Sequence, residues 1–114
     1  MDEREVIKKE ELLTRVSGKM DLLKEIIAIF LRDYPDKLRD IRQAIADQNA
    51  GELDDSAHAL KGLAGNFSAY RVVDAAFSLE MMGRNADLSQ AEETYHVLEK
   101  ELELLKAALG EFTG

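Results

Sequence analysis

The sequence contains no cysteine and only one proline among its 114 residues. The absence of cysteine excludes disulfide bonds and thiolate metal sites, and it is compatible with a reducing compartment. One proline and seven glycines leave few places where a helix must break. Since Leu, Ala, Glu and Lys dominate the remaining positions, the composition is typical of a mostly helical protein.

Long apolar segments are also missing. The longest apolar run, residues 26–31, is far too short to cross a bilayer. The amino terminus, MDEREVIKKEELL, is charged from its second residue and lacks the apolar stretch of a signal peptide. We therefore expect a soluble, cytoplasmic protein without membrane contact by this chain, and its length predicts a single domain over residues 1–114.

Clusters of lysine and arginine are absent as well. The chain carries 15 basic and 23 acidic residues, which gives a net charge of −8. Nucleic-acid binding requires a basic patch that can neutralise phosphates. Nucleic acid is therefore not an expected partner.

Apolar residues recur with the helical period along the whole chain, and no segment alternates like a strand. Helices are predicted over about residues 2–16, 20–34, 35–47, 51–69, 70–84 and from 89 onward. Pro35 lacks an amide hydrogen and disfavours helix in the preceding residue, so it is predicted to end one helix and begin the next. Residues 83–87 are predicted to form a turn, and Ser89 with Glu92 matches the pattern of a helix capping box.

The connections between these helices are short, so neighbouring helices should be antiparallel. The expected fold class is all-α, an antiparallel up-down four-helix bundle with one or two additional short helices.

The helix predicted over residues 51–69 carries a histidine on its outer face. At about 100° per residue, the apolar stripe of this helix is formed by Leu53, Ala57, Leu60, Ala64 and Phe67. His58 lies about 140° from the centre of that stripe, so it should face away from the core. The residues within about 60° of His58 are Gly51, Asp54, Asp55, Lys61, Gly62 and Gly65.

The glycines on this face need a physical reason, because a glycine inside a helix costs about 0.5–1 kcal/mol relative to alanine. Neither Gly62 nor Gly65 would gain packing against the core. The absence of side chains at these two positions indicates that a bulky group approaches His58 closely. An exposed imidazole is nucleophilic near neutral pH, and Lys61, three residues on, could reach a group attached to the ring. These features favour a phosphoryl-carrying histidine.

Less specific interpretations apply to the other polar residues. A lone histidine on a helix is usually incidental, and His96 is expected to be such a surface histidine. No spacing supports a metal site shared by the two histidines. Asp54 and Asp55 could orient the His58 ring, although solvated surface charges are the commoner arrangement.

The run AHALKGLAGNFSAYRVVDAAFSLE, residues 57–80, resembles the signature of histidine-containing phosphotransfer (HPt) domains, the small helical carriers of phosphorelays. The family pattern is His-x-x-Lys-Gly, followed by a helix that bears Leu-Glu. His58, Lys61 and Gly62 match the first part, and residues 79–80 match the second. Ser68 stands where the family often has glycine.

The resemblance implies that His58 accepts a phosphoryl group from a receiver-domain aspartate and passes it to another receiver. It also implies that Lys61 interacts with the phosphoryl oxygens and that Gly62 leaves room for them. The chain would then be a phosphocarrier without autonomous kinase activity. The alternative is a helical adaptor that binds a receiver or a kinase without being phosphorylated.

The resemblance also implies the partners. They would be receiver domains, of a hybrid sensor kinase and of a response regulator, that dock on a monomeric carrier. The docking surface would include Asp54, Asp55, Ala59 and Gly65. No cofactor is expected on this chain, and Mg²⁺ is expected on the partner receiver.

Overall fold

The computed structural model describes residues 3–113, which form five helices and no strand. The helices are α1 (Lys9–Arg15), α2 (Met20–Ala46), α3 (Ala50–Gly65), α4 (Tyr70–Arg84) and α5 (Ala91–Thr113). Helix α3 packs against α2 and α4, and α5 packs against α4 and α2, so that α2 to α5 form a closed ring of neighbours. The predicted all-α four-helix bundle is confirmed, with α1 as the additional short helix. No helix within residues 3–113 is both long enough and apolar enough to span a membrane.

Helices α3 and α4 run antiparallel. Gly83, near the end of α4, lies against the backbone of Ala50 and Asp54 near the start of α3. Further along α3, His58 contacts Glu80, which lies earlier on α4. Residue numbers therefore rise along α3 as they fall along α4, as the short connections predict.

The core is formed by the apolar stripes of the four long helices. The predicted stripe is almost completely buried, from Leu53 of α3 at 0% exposure to Phe67, just beyond the end of α3, at 1%. Phe67 meets the ring of Phe30 edge-on, and Phe30 stacks on Tyr34. The stripe predicted for the last helix is also buried and consists of Ala91, Tyr95, Leu98, Leu102, Leu105 and Leu109.

The predicted helix break at Pro35 is wrong, since α2 continues through this residue to Ala46. An internal proline removes a backbone hydrogen bond and costs about 3 kcal/mol or more. Here Phe30 and Tyr34 before the proline and Ile41 after it are all buried in the same core. Packing on both sides therefore outweighs the local preference for a break, and the predicted pair of helices is one helix.

The predicted first helix is too long. Residue 2 lies outside the described residues, residues 3–8 are not helical, and only Lys9–Arg15 form α1. Ile7 and Val16 are both buried, yet in one continuous helix they would lie about 180° apart. The irregular segment lets Ile7 reach the same core as Leu12 of α1 and Val16, which directly follows α1.

Two further helix ends differ from the prediction. Helix α3 ends at Gly65 rather than near residue 69, because Ser68 has a left-handed backbone with φ of 53°. Ser89 does not pair with Glu92 in a capping box: its hydroxyl donates to Asp87, and α5 begins at Ala91. Helix α4 has the predicted bounds, Tyr70–Arg84, so Gly83, which was also assigned to the turn over residues 83–87, lies within the helix.

Candidate functional site

His58 lies on the outer face of α3, with 67% of its side chain exposed. The predicted orientation of His58 away from the core is confirmed. Its ring is nevertheless held by the protein, because Nδ1 lies 3.0 Å from Oε2 of Glu80. The ring is thus anchored on one nitrogen while most of its surface faces solvent.

Glu80 is a buried carboxylate that α4 presents to α3. Only 2% of its side chain is exposed, and two cations neutralise its charge. Lys61 places Nζ 2.7 Å from Oε1, and Arg84 places Nη2 2.9 Å from Oε2. The Lys61 contact is a close ion pair without the alignment of a good hydrogen bond, so Oε1 has no aligned donor among the described residues.

The charge state of Glu80 follows from two opposing effects. Burial acts to raise the pKa of Glu80, whereas the contacts of Lys61 and His58 with its carboxylate act to lower it. The contacts outweigh burial, so the pKa of Glu80 lies below its ordinary value and the carboxylate is ionised near neutral pH.

An ionised carboxylate only accepts hydrogen bonds, so the His58 nitrogen that faces it must carry the hydrogen. In the neutral imidazole the other nitrogen, Nε2, then holds the free lone pair. Glu80 therefore selects the tautomer in which Nε2 is the nucleophilic atom.

A close approach of the two helix backbones brings Glu80 to His58. A Cβ atom added to Gly83 would lie 2.5 Å from the amide nitrogen of Asp54 and 2.6 Å from the carbonyl oxygen of Ala50. No side chain fits there, so α4 packs directly on the backbone of α3. This contact lies one turn from Glu80 along α4.

The glycines next to His58 are in a different situation. A Cβ atom added to Gly62 or Gly65 would meet nothing within 4 Å. The chain's own packing therefore does not require glycine at either position. Ala59 is half-buried and lines a shallow groove with Leu63 of α3 and residues 33, 36 and 37 of α2.

The two aspartates differ in their contacts. Asp54 Oδ1 lies 3.4 Å from Arg84 Nη2, and so reaches His58 only through Arg84 and Glu80. Asp55 is exposed and makes no side-chain hydrogen bond or ion pair that we find within residues 3–113.

His96 is the second histidine and lies on α5 with 63% of its side chain exposed. Its nearest carboxylates, Glu92 at 3.7 Å and Glu99 at 3.5 Å, are themselves about half exposed. Its expected position on the surface is confirmed. Across residues 3–113 no three His, Asp or Glu side chains are grouped as metal ligands.

Sequence reasoning missed three residues that lie near His58 or its partners, namely Glu80, Arg84 and Phe77. Glu80 was noticed only as part of the family pattern, although a charged residue beside the buried positions Ala76 and Leu79 of α4 was a usable signal. Arg84 was predicted both as the last residue of this helix and as part of the turn over residues 83–87, and its spacing of four residues from Glu80 was not used. Phe77, whose ring lies 5.1 Å from Lys61 Nζ, gave no signal beyond being an exposed aromatic residue.

Comparison with known proteins places this arrangement in a family. The family model of the Hpt domain matches residues 25–108, which include the whole cluster around His58. The chain therefore belongs to the Hpt family, and its role is histidine phosphotransfer in a phosphorelay.

The fold is similar to a crystal structure of histidine-containing phosphotransfer protein B (HptB) from Pseudomonas aeruginosa PAO1. The TM-score is 0.86 and the sequence identity 21%, over 93% of this chain and 92% of that chain. No curated protein matches this chain significantly in sequence.

Proposed function

We propose that His58 is the phosphorylated residue and that it exchanges phosphoryl groups with receiver-domain aspartates. The observation that carries this proposal is the contact between His58 Nδ1 and the buried Glu80, since it leaves Nε2 as the free nitrogen on an exposed ring. Hpt domains work with receiver domains, which supports aspartyl phosphate as the donor.

In the proposed step, the Nε2 lone pair attacks the phosphorus atom of the aspartyl phosphate. The N–P bond forms as the P–O bond to the aspartate breaks, and the aspartate leaves as a carboxylate. The hydrogen on Nδ1 stays in place, so the phosphorylated ring carries a positive charge that the Glu80 carboxylate stabilises. Transfer to the next receiver is the reverse step with a different aspartate.

Lys61 and Gly62 have supporting roles in the proposal. In the unphosphorylated protein, Lys61 pairs with Glu80 and lies over the ring of Phe77. We propose that its ammonium also contacts the phosphoryl oxygens, which carry negative charge through the transfer. Gly62 leaves open space on the same face, where the phosphoryl group and the receiver can approach.

The receiver supplies the aspartate and the Mg²⁺ in this proposal, and no cofactor resides on this chain. Asp54, Asp55, Ala59 and Gly65 contribute to the docking surface. The chain works as a monomeric carrier without autonomous kinase activity, between receivers of a hybrid sensor kinase and a response regulator.

The test is transfer of labelled phosphate from a phosphorylated receiver to the protein. We expect wild type to acquire acid-labile, alkali-stable phosphate, His58→Gln to acquire none, and His96→Gln to match wild type. Equal labelling of His58→Gln and wild type would disprove the assignment. If wild type binds several receivers yet accepts label from none of them, the adaptor function is the correct one.

A further inference from the structure

The guanidinium of Arg84 joins two carboxylates on two different helices beside His58. Its Nη2 atom lies 2.9 Å from Oε2 of Glu80 on α4 and 3.4 Å from Oδ1 of Asp54 on α3. The same Oε2 atom accepts the hydrogen bond from His58 Nδ1. Asp54, Arg84, Glu80 and His58 thus form a continuous chain of contacts that starts and ends on α3.

The position of Oε2 decides where the His58 ring lies. A glutamate side chain has several rotatable bonds, and the ion pair with Lys61 is made by the other oxygen, Oε1, at 2.7 Å. Arg84 is then the cation that contacts Oε2, the oxygen that accepts the hydrogen bond from His58. Because 53% of the Arg84 side chain is exposed, it needs an anchor of its own, and Asp54 supplies one.

We propose that Asp54 and Arg84 are positioning residues that act through Glu80 to hold the His58 ring with Nδ1 bound and Nε2 free. The inference deepens the proposed function, and its effect on transfer rests on that function. It gives Asp54 a role in positioning the His58 ring, in addition to its proposed role on the docking surface.

The test compares Arg84→Gln with Arg42→Gln. Arg42 is a matched control, because it is also about half exposed and also pairs with a carboxylate on another helix, Glu92 of α5. Each variant is measured in three ways: the tautomer of the neutral His58 ring by ¹⁵N NMR, the transfer rate constant at saturating phosphorylated receiver, and the dissociation constant for that receiver.

For Arg84→Gln we expect a larger share of the tautomer with hydrogen on Nε2 and a transfer rate constant about tenfold lower. Receiver affinity should stay within about twofold of wild type. Arg42→Gln should match wild type in all three measurements. If Arg84 only stabilised the fold, Arg84→Gln would change neither the tautomer of His58 nor the transfer rate constant.

A second variant tests whether Asp54 acts through Arg84. We expect Asp54→Asn to shift the tautomer in the same direction as Arg84→Gln but less, and to have no further effect on the tautomer when Arg84 is already glutamine. Additive effects would mean that the two residues act separately, and would overturn the inference for Asp54.

Two outcomes would overturn the inference for Arg84. One is an unchanged tautomer and rate constant in Arg84→Gln; the other is a weaker receiver affinity with an unchanged rate constant, which would make Arg84 a docking contact. Failure of the proposed function is distinguishable, because wild type itself would then accept no phosphate, whereas the tautomer measurement uses the unphosphorylated protein.

Discussion

The two histidines of the chain have similar exposure but different neighbours. His58 and His96 expose 67% and 63% of their side chains, and each lies near carboxylates. The partner of His58 is the buried Glu80 on another helix, whereas His96 is near exposed glutamates on its own helix. A buried carboxylate on another helix thus holds one nitrogen of the His58 ring in a fixed contact, whereas the exposed glutamates near His96 are themselves solvated.

The largest effect on the difference between the two histidines is expected from removing the charge of Glu80, which contacts the His58 ring. We expect Glu80→Gln to lower the rate constant of phosphotransfer about 100-fold, because the neutral amide can accept from Nδ1 or donate to it and so no longer selects one tautomer, and because it cannot stabilise a positive charge on the ring. Glu99→Gln, the matched change beside His96, should leave the rate at the wild-type value. Single-turnover transfer from a labelled receiver measures both. Equal rates in the two variants would show that the buried carboxylate has no special role.

The close approach of α3 and α4 is the second feature that His96 lacks. Gly83→Ala would place a Cβ atom 2.5 Å from a backbone nitrogen of α3, so the helices must separate. We expect the free energy of unfolding to fall by about 1–3 kcal/mol. Gly110→Ala in α5 has open space around it and should instead raise stability by about 0.5–1 kcal/mol. Chemical denaturation measures both, and a neutral Gly83→Ala would contradict the packing.

The residue four positions after each histidine gives a third test. His58 is followed at that spacing by Gly62, and His96 by Lys100. Gly62→Ala should raise the stability of the free protein by about 0.5–1 kcal/mol, since its Cβ atom would meet nothing within 4 Å. In the complex the same methyl group should slow phosphotransfer about tenfold by overpacking the interface. A variant that is more stable and equally fast would show that the open face is not needed.

The smallest expected effect is on how the stability of the fold depends on pH. The pKa of Glu80 is lower in the folded protein than its ordinary value, so its ionisation stabilises the fold above the ordinary pKa. This contribution is lost as the pH falls through the lowered value. Denaturation between about pH 7 and about pH 3 should therefore show a shallower loss of stability for Glu80→Gln than for wild type. Identical slopes in the two proteins would contradict the charge state of Glu80.

Much of the fold, and the part of the site that lies on α3, could be predicted from the sequence. The helical period located the helical segments, and the angular positions at about 100° per residue placed His58 outside and Leu60 inside, because those properties depend on one helix alone. The break at Pro35 was wrong because packing across α2 outweighs a local preference. Glu80 and Arg84 were missed as site residues for the same reason: their role arises only when α4 lies on α3, and the pairing of two helices is not encoded in the period of either one.

Ser68 has a consequence for how the domain can be shortened. Its backbone is left-handed, a conformation that glycine adopts most readily, and its buried hydroxyl contacts Arg15 and Glu11 of the α1 region. The family match begins at residue 25 and so leaves α1 out. A protein trimmed to that boundary would keep the strained serine and lose the two side chains that bind it. The trimmed protein would also lose Ile7, Leu12 and Val16 from its core, so a version without α1 should at least carry glycine at position 68 to remove the backbone strain.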